Sequence, residues 1–251
     1  MMNWVILFGG AGREACIERM LAEGIIVQAI IIPKHRSSKL EQSILKFKHL
    51  PCELIETEKA ALPNILQSFK GMGLFSIGFP YLVPDRTLSL FEVALNIHPT
   101  LLPRYRGPAS GAYILMNGEK ESGSTVHFMT AKMDQGDIVA QSRISLSPFE
   151  TTRSLQRKVY ATEPQLIIDA FLALETEAKN KQQDESEASV YPLKRKPADS
   201  EIDPSLSLIE LFDEIRACDP DDYPAYFYIH REKVCIKLWR PHKPKDEDDL
   251  I

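Results

Sequence analysis

An α/β protein with a mostly parallel sheet, followed by a smaller α+β region containing a hairpin, is the fold class that the sequence predicts. Three observations predict it. Short apolar runs alternate with helical periodicities through the first hundred residues. The first run ends in a glycine cluster of the strand, turn, helix kind. After residue 190 the pattern changes to one helical stripe and two neighbouring aliphatic and aromatic runs.

The run WVILF at 4–8 ends in Gly9, Gly10, Ala11 and Gly12, and residues 14–21 then carry a helical stripe that Gly24 stops. Residues 27–32 read as a second buried strand, 39–48 as a helix, 52–55 as a third strand, 62–69 as a helix and 74–79 as a fourth strand. The alternating run VALNIH at 93–98 is a fifth strand. Beyond it, 109–116 reads as a helix, 124–129 and 138–144 as strands, and 152–178 as one long helix. Strands alternating with helices wind a parallel sheet by right-handed crossovers, and ligands gather beyond the carboxyl ends of its strands. One unit is therefore expected over 1–178, a polar, exposed connector over 179–189 and a small C-terminal region over 190–251. In that region 206–218 has an apolar helical stripe, and 225–230 with 233–239 read as a hairpin with a short polar turn. Its Tyr226, Phe227, Tyr228 and Trp239 need a surface to cover. The run KDEDD at 245–249 is expected to be a disordered tail.

Composition narrows the function. A net charge of −5 argues against affinity built on neutralising many phosphates, so long nucleic acid is not the expected partner. No apolar run reaches membrane-spanning length, and the first residues lack the basic start and longer apolar stretch of a signal peptide. Cys16, Cys52, Cys218 and Cys235 are scattered, without the paired spacing of a zinc ribbon or a redox dithiol, which fits reduced thiols in the cytoplasm.

The chemistry concentrates at the end of the fifth strand. Alternation puts Leu95 and Ile97 on one face and Asn96 and His98 on the other, and Pro99 forces the chain to turn away beyond them. If Asp134, from a turn around Gly136, joins them, the site holds an amide donor, a titratable imidazole and a carboxylate, a set suited to acyl transfer to an amine. His127 reads equally well as a satisfied, half-buried histidine. Arg104 and Arg106 sit in a constrained loop suited to a phosphate, a carboxylate or local carbonyls. Gly10, Gly12 and Ala15 match a dinucleotide fingerprint, which keeps a nicotinamide-dependent oxidoreductase as an alternative, but no acidic residue ends the second strand. The plainer reading is a tight turn with Arg13 available to a phosphate. Redox chemistry does not call for Asn96, His98 and Asp134 together, and an inactive binding module needs none of them.

These motifs resemble one family. The runs NIHP at 96–99, LLPRYRG at 101–107, NGE at 117–119, GSTVH at 123–127 and DQGDI at 134–138 have the order and spacing of the 10-formyltetrahydrofolate-dependent formyltransferases, over about residues 3–178 and more faintly beyond. The resemblance implies a Rossmann-like formyltransferase domain with Asn96, His98 and Asp134 as its catalytic trio and 10-formyltetrahydrofolate as cosubstrate, without a metal. It places the pteridine between the 77–82 segment and the 131–137 loop. The expected folate contacts are Ile77, Phe79, Tyr81, Leu82, Met133 and Asp137, with Arg104; Gly10, Arg13 and Arg106 are the expected acceptor contacts. Asp134 is expected to favour the imidazolium of His98 and to relay the amine's proton through a water. Residues 191–203 and 215–227 resemble the start of the second domain of methionyl-tRNA and amino-arabinose enzymes. Only a short acidic tail follows Trp239, so a full basic tRNA-binding barrel is not expected. The resemblance therefore points to a nucleotide-linked deoxyamino sugar, of the kind used in surface polysaccharides such as lipopolysaccharide, and to a homodimer formed through the C-terminal region. Methionyl-tRNA is the alternative acceptor.

Overall fold

A computed structural model describes residues 2–108, 110–176, 180–191, 193 and 195–245. The segment 246–249 of the expected tail and residues 177–178 of the expected long helix lie outside the described residues. Five parallel strands, β1 (Trp4–Phe8), β2 (Val27–Pro33), β3 (Glu53–Thr57), β4 (Gly73–Ile77) and β5 (Val93–His98), are continued by two antiparallel ones, β6 (Glu121–Phe128) and β7 (Ile138–Ser145). Their order in the sheet is β3-β2-β1-β4-β5-β6-β7. The helices are α1 (Glu14–Ala22), α2 (Ser38–Leu45), α3 (Leu62–Gln67), α4 (Asp85–Leu88), α5 (Ser110–Met116), α6 (Thr152–Glu175) and α7 (Leu208–Ala217).

Every residue of β1 is buried, because both faces of the sheet are covered. The twofold period of the strand divides its side chains. Trp4, Ile6 and Phe8 join Leu95 and Ile97 in a core with Ile17 and Met20 of α1 and Leu166, Ile167 and Phe171 of α6. Val5 and Leu7 join Ala29, Ile31 and the α3 residues Leu62 and Leu66 on the other face. The carboxyl ends of β1 and β4 meet where the winding direction reverses: the Gly9 N–H donates to the Ile77 carbonyl at 3.0 Å. A Cβ on Gly9 would lie 2.6 Å from the Gly78 carbonyl, so the glycines of this turn serve the close packing of two backbones.

Local signals explain the starts of two helices. Thr151 and Ser154 form a capping box on α6, and Ser207 and Glu210 form one on α7. Past α7, β8 (Ala225–Ile229) and β9 (Glu232–Ile236) form the expected hairpin, turning at His230 and Arg231, both with positive φ. The connector is largely exposed, as expected, and 180–191 also exchanges backbone hydrogen bonds between Lys181 and Ile138 and between Ser189 or Tyr191 and Arg106. Its polarity reflects buried polar pairing as well as exposure. Among the described residues no helix is long and apolar enough to cross a membrane.

Candidate active site

The antiparallel register of β5 and β6 sets Asn96 opposite His127 and His98 opposite Thr125. Side chains opposite one another in such a pair are close enough to interact. The Asn96 Nδ2 amide donates to His127 Nε2 at 3.0 Å, while His127 Nδ1–H donates to the Phe128 carbonyl at 2.8 Å. In the neutral ring that second bond puts the proton on Nδ1 and leaves Nε2 to accept from Asn96. His127 therefore orients the amide of Asn96, a role that the sequence reading set no higher than a satisfied histidine. Its signal was the shared twofold period of the two strands.

Asp134 lies in the turn between β6 and β7 with a φ of 55°, a left-handed conformation that Asp tolerates better than most residues. The turn closes tightly, since a Cβ on Gly136 would fall 1.9 Å from the Phe128 carbonyl. Asp134 Oδ2 accepts the Gly107 N–H at 2.9 Å and lies 3.6 Å from His98 Nδ1; Oδ1 lies 3.6 Å from His127 Nε2. The other imidazole nitrogen of His98, Nε2–H, donates to the Tyr105 carbonyl at 2.9 Å. The expected trio is thus brought together, with His127 and the Gly107 amide added to it.

Electrostatics assign the resting charges. Burial pushes the Asp134 carboxyl up, but His98, His127 and the Gly107 amide outweigh it and hold the group well below the usual carboxylate range. At His98 burial is the strongest influence and lowers the pKa; Asp134 and the Tyr105 carbonyl oppose it, and the imidazole ends below the ordinary histidine value. The imidazolium expected from charge pairing is therefore not the resting form at neutral pH. A neutral imidazole beside an ionised carboxylate can take up a proton, which that carboxylate then stabilises.

The loop after β5 is held from below. Thr125 Oγ1 donates to the Thr100 carbonyl at 2.7 Å and accepts from the Leu102 amide at 3.1 Å, and Gln141 Nε2 donates to the Leu102 carbonyl at 2.8 Å. Tyr105 adopts a φ of 61°, its ring stacked on Tyr191 and its hydroxyl donating to Glu119 at 2.7 Å. These contacts present the Tyr105 carbonyl to His98 and the Gly107 amide to Asp134.

Residues 74–171 match the family model described as formyl transferase. Methionyl-tRNA formyltransferase of Thermotoga neapolitana is 31% identical over 260 residues, an alignment that spans 98% of this chain and 82% of that protein. The chain belongs to the formyl transferase family. Among solved structures, a 4-N formyltransferase from Francisella tularensis superposes with a TM-score of 0.75 at 22% identity, over 94% of this chain and 97% of that one. The N-formyltransferase of Helicobacter canadensis, solved with folinic acid and dTDP-3-aminofucose, superposes with a TM-score of 0.72 at 20% identity, over 93% and 86% of the two chains.

The other residues singled out in this formyltransferase are placed unequally. Phe79 and Tyr81 meet edge to face at 5.2 Å, and Leu82 and Met133 expose apolar surface. Asp137 is exposed. Ile77, in contrast, is fully buried in the core, which leaves only its backbone available. Arg104 pairs with Glu119 at 3.0 Å. Arg13 is turned inward: its guanidinium binds Glu163 at 2.5 and 2.7 Å and lies over the Tyr160 ring, while Glu163 also accepts from Ser124. Arg106 is buried too, bound by Gln183 and Glu185. Both arginines expected to meet the acceptor are thus held by protein groups, because a buried guanidinium needs a charged or polar partner. At Gly10 a Cβ would lie 2.7 Å from Arg13 Cδ, so this glycine makes room for Arg13. The neighbouring Gly12 amide donates to the Glu14 carboxylate at 2.9 Å, which places a negative group where a dinucleotide would need its pyrophosphate.

Proposed function

We propose that this formyltransferase moves the formyl group of 10-formyltetrahydrofolate to the primary amine of a nucleotide-linked deoxyamino sugar. The observation that carries formyl transfer is the convergence of Asn96, His98 and Asp134 at the carboxyl end of β5. As the amine adds to the formyl carbon, charge grows on the formyl oxygen, and the Asn96 N–H not held by His127 is the donor for it. Loss of such a donor typically costs about 3–4 kcal/mol of barrier. The amine nitrogen must shed a proton and the departing folate nitrogen must gain one. The His98–Asp134 pair, neutral imidazole beside carboxylate, takes up the first and returns it to the second, so protons balance over the turnover. For the folate, Phe79, Tyr81, Leu82 and Met133 offer an apolar cleft wall of the kind a pteridine ring needs.

The acceptor reading rests on a cavity of about 370 Å³ that reaches Pro99 and Pro108 at the two ends of the active-site loop. Tyr160 and Tyr223 offer aromatic surface there, and Arg195 and Lys196 offer positive charge, a lining that suits a base and phosphates of a small molecule. The Helicobacter canadensis structure, with its bound dTDP-3-aminofucose, supports the same class. Such an enzyme would work in the cytoplasm on precursors of surface polysaccharide. Methionyl-tRNA is the second reading, favoured by the Thermotoga neapolitana relative. Tetrahydrofolate release, followed by absorbance with a panel of dTDP- and UDP-linked amino sugars and with methionyl-tRNA, separates them. Turnover confined to the sugar nucleotides is expected; turnover confined to methionyl-tRNA would replace the first reading with the second.

A further inference from the structure

We propose that Gln183 is a positioning residue for formyl transfer, its carboxamide clamping the turn that carries Asp134 onto the loop that carries Gly107. The inference rests on the catalytic reading of Asp134. Gln183 lies in a stretch whose neighbours Asp184, Glu185, Ser186 and Glu187 are exposed, yet it is itself only 6% exposed. Its Nε2 donates to the Asp134 carbonyl at 2.9 Å and to the Gly136 carbonyl at 2.7 Å, and its Oε1 accepts from Arg106 Nε at 3.1 Å and Nη2 at 2.7 Å. All four hydrogen-bonding capacities of the amide are used, two on each side. No other side chain of this length offers two donors and two acceptors so arranged. Glutamate keeps the acceptors and loses the donors, and leucine loses both.

The arrangement bears on catalysis because Arg106 immediately precedes Gly107. The Gly107 amide holds the Asp134 carboxylate, while Gln183, through Arg106, ties the Asp134 backbone to the same loop. Both ends of Asp134 are therefore referenced to one loop, and the separation of its carboxylate from His98 Nδ1 depends on that closure. The outer face of the clamp is Glu185, whose side chain is 68% exposed and which binds the far edge of the Arg106 guanidinium. The charged and titratable groups around His98 are Asp134, His127 and Arg13; of these only Asp134 is held by Gln183.

The test compares Gln183→Glu, Gln183→Leu, Glu185→Ala and Asp134→Asn. Two quantities are read: kcat with 10-formyltetrahydrofolate and the acceptor turned over in the panel above, and the His98 titration followed by 15N-imidazole NMR. Displacing a reacting group by about 1 Å costs about 100-fold in rate, so both Gln183 variants are expected to lose kcat on that scale. The His98 pKa should fall below that of the parent, because the carboxylate that supports the imidazolium has loosened. Glu185→Ala, which removes the charge partner of the buried Arg106 guanidinium, should loosen the same clamp and shift both readouts in the same direction as the Gln183 variants, by less. Unchanged kcat and titration in Gln183→Glu, beside a crippled Asp134→Asn, would remove the clamp alone; full activity in Asp134→Asn would remove the catalytic reading beneath it. Rate loss without a shift in the His98 titration, or failure of both Gln183 variants to fold, would make Gln183 merely structural and overturn the proposal.

Discussion

Replacing His98 by alanine is expected to lower kcat by about 10²–10⁴-fold, the scale of lost acid–base assistance, while circular dichroism stays native. Near-parental tetrahydrofolate release from a folded His98→Ala protein would refute its assignment as proton carrier. The same residue should mark the pH dependence of stability. Its folded-state pKa lies below the ordinary 6.5, so under that value the unfolded chain takes up a proton that the native chain resists. The contribution is complete above about pH 6.5 and is lost as the pH falls toward the folded value. Urea midpoints should therefore drop between pH 7 and pH 5.5, and His98→Asn should flatten that drop. Asp134 acts further down: its depressed pKa gives stability that is present above the usual carboxylate value and lost as acid approaches the folded one. At this scale the placement of Asn96 and His98 on one strand face was legible, because a period of two needs no partner to define it. His127 was not, since only pairing to β5 shows which neighbour its ring meets.

At the scale of elements, α1, β6 and α6 are tied by the buried set Arg13, Ser124 and Glu163. Glu163→Ala would leave a buried guanidinium without its charge partner, and a loss of about 3–5 kcal/mol is expected in chemical denaturation. The pair Arg13→Met with Glu163→Met should cost far less, because no orphan charge remains. A change under about 1 kcal/mol for Glu163→Ala would show that Arg13 has another partner, and would reopen its reading as a phosphate contact. The strands β1, β2, β4 and β5 were legible as apolar runs. The beginning of β6 was not: Glu121, Ser122 and Gly123 carry little strand propensity and are strands through their pairing with 143–145 of β7. In the segment 180–191 exposure was legible from the polar composition, but the partners that its amides and carbonyls find at Ile138 and Arg106 were not.

At the scale of the whole molecule, the C-terminal region leaves apolar surface in water: Leu208 is 75%, Ile209 88% and Trp239 76% exposed. A homodimer through this region is proposed, in which these side chains would be covered. Sedimentation at micromolar concentration should show a dimer that Ile209→Glu converts to monomer with no loss of secondary structure. A monomeric parent protein would remove that proposal. The net charge of −5 belongs to the same scale, where it sets the long-range field and disfavours a polyanionic partner.

The sequence by itself determined the order of the strands and of the helices other than the short α4, the faces of β5, and the family, since periodicity and short motifs are local properties. Only the tertiary structure decided where the charged side chains go. Arg13 and Arg106 turned inward because the folded chain offers each a buried partner, from 150 and 77 residues away respectively, and a guanidinium leaves water only for such a partner. The meeting of Asp134 with His98 was decided in the same way, by a strand register, a tight turn at Gly136 and a distant glutamine. None of these can be read from the neighbours of any one residue along the chain.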